Sequence, residues 1–116
     1  MADQVEILLP KTRHNEGTNF TATAYFRDRA AKASSTPTTV HYRVDDLNGN
    51  TNITPWTSVS AAASVSISIT PTMNAIQGQS NRIERKQLMV KADDGLSTQA
   101  IGSVIWQVKN LYGIGT

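Results

Sequence analysis

Between Ala63 and Thr70 the chain reads Ala-Ser-Val-Ser-Ile-Ser-Ile-Thr, which places Val65, Ile67 and Ile69 on one side of an extended backbone and three serines on the other. Side chains of a strand alternate between faces, so this period of two predicts a half-buried strand over Ala63–Thr70. The same period returns in Phe20, Ala22, Ala24 and Phe26, in Val40, Tyr42 and Val44, in Leu88, Val90 and Ala92, and in Val104, Trp106 and Val108. It predicts further strands over Val5–Leu9, Thr18–Asp28, Thr38–Asp45, Asn52–Thr57, Ile83–Asp93 and Gln99–Lys109. No helical period of any length separates them.

The connections carry turn chemistry. Pro10 ends the first strand because it cannot donate to a ladder, and the polar run Lys11–Gly17 reads as a turn. Ala30–Pro37 reads as a loop or an edge crossing between sheets, and Asn48-Gly49 as a tight reversal with a positive φ. Thr70-Pro71 supplies a cap and a first helical residue, so one helical turn is expected across Met73–Gln77, stopped by Gly78. Asp93-Asp94-Gly95 turns the sixth strand toward the seventh. Seven strands at even spacing predict one all-β domain over residues 1–110, an antiparallel seven-stranded sandwich with Greek-key connections. Residues 111–116, with two glycines, read as a flexible tail.

Composition narrows the picture. At 116 residues there is room for one core and no separate catalytic module. The absence of cysteine removes the bridge that staples many secreted sandwiches and suits folding in a reducing cytoplasm. The first twenty residues hold only the short apolar run Ile7-Leu8-Leu9 among charges, neither a signal peptide nor a membrane span. Eleven Lys and Arg against nine Asp and Glu leave a net charge of +2, too small an excess to imply a nucleic-acid partner.

The stretch Tyr42-Arg43-Val44-Asp45-Asp46, Trp56 on the return strand, and Leu88-Met89-Val90-Lys91-Ala92-Asp93-Asp94-Gly95 before a last strand resemble immunoglobulin-like and fibronectin-III-like domains. The segment from about Val40 to Tyr112 is most similar to small Ig-like proteins encoded among virion genes of tailed bacteriophages. The inter-sheet disulfide and the tyrosine corner of antibody-type domains are missing, so Trp106 and Trp56 are expected to supply the aromatic packing. The resemblance implies a non-enzymatic virion protein made in the host cytoplasm. Its role would be capsid decoration, or an accessory part at the head-to-tail junction or tail, with capsid, portal or tail proteins as partners and homo-oligomers within reach. A single domain with its own start and no export signal suits that expectation.

Candidate chemistry is sparse. His14 and His41 are the only imidazoles, no Gly-x-Ser-x-Gly elbow occurs, and both histidines read as surface residues. No catalytic residue, cofactor or metal site is assigned. The pairs Asp45-Asp46 and Asp93-Asp94 read as turn residues, since calcium takes about six to eight oxygens. In the basic stretch Arg82, Arg85, Lys86 and Lys91, alternation sends Arg85 and Lys91 outward and Lys86, in phase with Leu88, to the end of the sandwich.

Apolar residues on the opposite phase are more informative. Met89, Ile101 and Ile105 point away from a core that holds Val90 and Trp106, and the two strands that carry them are sheet neighbours. With His41, Arg43, Arg85 and Lys91 they define an outer face expected to dock on a protein partner. Leu111 and Tyr112 form a second candidate, an apolar anchor on the tail. The rival function is an adhesive or glycan-binding module, for which Tyr25 and Tyr112 are the available surface aromatics. No contact with membrane is expected.

Overall fold

The structure, a computed structural model, describes residues 2–76, 78, 82–93 and 99–110. Among them lie nine strands and no helix: β1 (Gln4–Leu8), β2 (Arg13–Asn15), β3 (Phe20–Asp28), β4 (Ala33–Ser34), β5 (Thr39–Asp46), β6 (Thr51–Val59), β7 (Ser64–Ile69), β8 (Ile83–Asp93) and β9 (Gln99–Lys109). They form two sheets. In the four-stranded sheet β3 is central and pairs antiparallel with β1, β4 and β7; the five-stranded sheet runs β2-β9-β8-β5-β6. Buried apolar residues from both sheets, including Ala22, Phe26 and Ile67 from one and Val40, Leu88 and Trp106 from the other, form one cluster. The result is an all-β, sandwich-like arrangement.

Two strands correct the sequence expectation of seven, and both are too short and polar to show a period. β2 runs parallel to β9, so the sheet is mixed and not purely antiparallel. Bonds from Gln107 N–H to Thr12 O (2.8 Å) and from Glu16 N–H to Lys109 O (2.9 Å) hold it there. β4 arises where the predicted loop folds back on β3: Asp28 Oδ1 accepts from the N–H groups of Ala30 and Ala31, and Lys32 takes φ 53°. The reversal after β5 also differs in detail, because the left-handed residue is Asn50 (φ 51°) and not Gly49. Asp46 Oδ1 accepts from Asn48 N–H and fixes the first half of that turn.

After β7 a hydrogen-bonded turn spans Thr70–Asn74, three residues before the helical turn expected across Met73–Gln77. Asn74 N–H bonds to Thr70 O at 3.1 Å, and the Thr70 hydroxyl caps Met73 N–H at 3.3 Å. Gln77, Asp94, Gly95 and residues 111–116 lie outside the described residues.

β1 lies against β9 at Gly102, where an added Cβ would come within 3.0 Å of Val5 O and 3.1 Å of Val5 Cβ. That close approach explains a glycine in the middle of a strand. β6 ends the five-stranded sheet with two register shifts, opposite Tyr42/Val44 and Val44/Asp45, around Pro55. A proline is tolerated there because an edge strand needs one row of donors only.

Candidate interaction face

Register places the predicted outer-face residues in rows across β5, β8 and β9. One row runs His41–Lys91–Ile101, the next Arg43–Met89–Ser103, and the third Asp45–Gln87–Ile105. Ile101 (57% exposed) and Ile105 (44%) are among the most exposed large apolar residues described, and half-buried Met89 lies diagonal to both. Lys91 and Gln87 occupy the alternate corners, so the apolar strip is contiguous along one diagonal path and rimmed by polar groups. Arg85 falls one row farther, beside Gln107, whose side-chain oxygen accepts from Arg13 Nε at 3.2 Å. The structure thus puts Met89, Ile101, Ile105, His41, Arg43, Arg85 and Lys91 on one face. Leu111 and Tyr112 lie outside the described residues.

Trp56 corrects an expectation. It is absent from the core cluster and sits half-buried on this outer face, with Lys91 Nζ 4.4 Å and Arg43 Cζ 5.6 Å from its ring centre. Alternation with the core-packed Val59 is the signal that would have turned it outward. Two cations over one indole hold long side chains against the sheet and keep their charge available. Arg43 also makes a forked pair with Asp45, at 2.8 Å from NH2 and 3.0 Å from Nε. Burial raises the Asp45 carboxyl, but hydrogen bonds from Arg43 and Asn52 outweigh it and hold the pKa below its ordinary value. The carboxylate therefore locks Arg43 in place over Trp56.

The inner face of the same sheet holds the second polar constellation. Lys86, in phase with Leu88 and expected at the end of the sandwich, is fully buried, and its Nζ lies 2.9 Å from Glu84 Oε1 and 3.6 Å from Asp46 Oδ1. Asp46 and Trp106 are its cross-strand neighbours, and Val44, Leu88 and Val108 nearby are fully buried. Glu84 Oε2 accepts from Gly78 N–H at 2.7 Å, tying the chain before β8 to the cluster. The adjacent carboxylates Asp45 and Asp46 thus go to opposite faces, and Asp93 pairs with Thr39 at the far end of the β5–β8 ladder. Among the described residues no group of three or more His, Cys, Asp or Glu gathers as a metal site.

His14 is likewise buried rather than a surface residue. Its ring stacks on Phe20 at 3.9 Å, Nε2 lies 2.9 Å from Lys11 O, and Phe20 meets Trp106 edge-on at 5.4 Å. Trp106 Nε1–H donates to Asn74 Oδ1 at 2.7 Å, and Asn74 Nδ2 donates to Thr18 O at 2.9 Å. Desolvation lowers the His14 pKa below its ordinary 6.5, with Lys11 adding to the effect and the bond to its carbonyl opposing it. This chain of contacts pins β2, β3, the Thr70 turn and β9 together, a structural assignment. His41 stands half-buried on the outer face.

No helix among the described residues is long and apolar enough to cross a membrane. In comparisons with known proteins, no protein-family model matches the chain and no curated protein matches it either.

Proposed function

We propose that this chain is a non-enzymatic structural protein of a tailed-bacteriophage virion, an Ig-like accessory domain. It binds the capsid surface, or the head-to-tail and tail assembly, through the outer face of the five-stranded sheet. The observation that carries the reading is the exposed path Ile101–Met89–Ile105 beside Arg43, Lys91 and Arg85 on a rigid ladder. An apolar strip with a charged rim is the composition of a protein contact surface.

The strand order supports the Ig-like, Greek-key part of the proposal. β1, β3 and β7 stand where strands A, B and E of an immunoglobulin sandwich stand, and β6, β5, β8 and β9 where C′, C, F and G do. Absence of cysteine accords with folding in the host cytoplasm before assembly. The virion part of the proposal rests on the resemblance read in the sequence of Val40–Tyr112.

Trp56 favours one second reading, a glycan-binding module, because it brings an indole to the outer face. The genes on either side of this one separate the two. Capsid, portal or tail genes are expected; secretion or cell-wall genes would overturn the virion proposal in favour of adhesion.

A further inference from the structure

Among the described residues β7 is an edge strand of the four-stranded sheet. Phe26 donates to Ala63 O at 2.9 Å and accepts at its own carbonyl from Ser35 N–H at 3.0 Å, so β7 and β4 share one side of β3. Among the described residues no strand pairs with the opposite side of β7. The Phe26–Ala63 bond also sets the phase: odd-numbered residues of this strand turn their backbone groups toward β3. The N–H and C=O groups of Ser64, Ser66 and Ser68 therefore point to the open side.

The other sheet ends are guarded. β6 carries Pro55 and two register shifts, β2 is three residues long, and β1 presents the exposed charge of Glu6 and lies against β9 at Gly102. These are the devices by which edge strands avoid pairing with other chains. β7 has none of them: it is regular throughout its pairing with β3 and contains no charge and no proline.

We infer that the β7 edge pairs with the same edge of a second copy of this chain, antiparallel about a two-fold axis through Ser66. The sequence Ser64-Val65-Ser66-Ile67-Ser68 is nearly symmetric about that residue. Ser64 then faces Ser68, Ser66 faces its own copy, and Val65 faces Ile67. The open-side backbone groups of the three serines match donor to acceptor and give about six inter-chain hydrogen bonds. Small hydroxyls meet on the outer side and apolar side chains on the core side, and no charge opposes another across the axis. That self-match favours a second copy over an unlike strand as occupant. The inference does not rest on the virion proposal, since it concerns a different sheet and the isolated chain.

Sedimentation velocity on the purified full chain over a range of concentrations tests it, with Ser66→Pro and Ser66→Lys compared. Ser66→Pro deletes an N–H on the open side and spares the β3 ladder. Ser66→Lys leaves the backbone unchanged and sets two cations face to face, so it carries the test should the proline variant fail to fold. The wild-type chain is expected to sediment as a dimer, and a folded variant at half that mass. A wild-type monomer throughout, or a dimer that persists in both variants, would overturn the inference. So would a monomer whose Ser64–Ser68 amides become protected from exchange only on an unlike partner.

Discussion

The two faces of the five-stranded sheet each carry an exception to the usual arrangement. Its inner face hides Lys86, Glu84 and Asp46, whereas its outer face shows Ile101 and Ile105 to solvent with Met89 between them. The buried charges have a structural explanation: one oxygen of each carboxylate is at ion-pair distance from Lys86, and the backbone N–H groups of Gly78 and Asn48 donate to Glu84 Oε2 and Asp46 Oδ1. The exposed isoleucines lie outside the core cluster. Exposed apolar groups without a structural use are where function is sought. Substitutions on the inner face should therefore be felt in stability, and those on the outer face in binding.

The largest effect is expected at Lys86. Lys86→Ala leaves two carboxylates buried without their cation and should cost about 3–5 kcal/mol, much of a stability of about 5–15 kcal/mol. Urea unfolding at neutral pH checks it, and a loss below about 1 kcal/mol would mean the cluster is hydrated. Asn74→Ala comes next. It orphans Trp106 Nε1–H and Thr18 O and should cost about 1–3 kcal/mol by the same measurement.

On the outer face, Ile101→Ser should change stability by no more than about 0.5 kcal/mol. A larger loss would show that this side chain belongs to the fold after all. The smallest effect is the pH dependence from His14. Its folded pKa is lowered, so between that value and 6.5 the unfolded chain binds more protons. Its contribution is full above 6.5 and is lost as pH falls through that window. Thermal unfolding should show a lower midpoint on acidification from neutral pH, and His14→Gln should flatten that part of the slope.

Strict alternation made most of this fold legible. Phe20 through Phe26, Val40 through Val44 and Ser64 through Ile69 show one apolar face each, and that is the face the core uses. β2 and β4 were illegible because Arg13-His14-Asn15 and Ala33-Ser34 bury at most one side chain each; their ladders depend on where β9 and β3 lie in space. Phase alone orients side chains along β8 and β9, since these strands pair over eleven residues without a register shift. The expectation that Trp56 packs in the core rests on the missing disulfide and tyrosine corner, whereas strand alternation with core-packed Val59 turns it outward. Lys86 was placed inward by phase, but a lone sequence could not show that Glu84 and Asp46 converge on it from two strands and permit complete burial.

The central claim, that the outer face is the docking face, is tested most directly by co-sedimentation with purified tailed-phage particles, the partner that the virion proposal names. The wild-type chain is compared with the double variant Met89→Asp, Ile105→Asp, each checked for a native circular-dichroism spectrum. The account predicts that the wild-type chain pellets with the particles and the folded double variant stays in the supernatant. A folded double variant that pellets as the wild type does would contradict it.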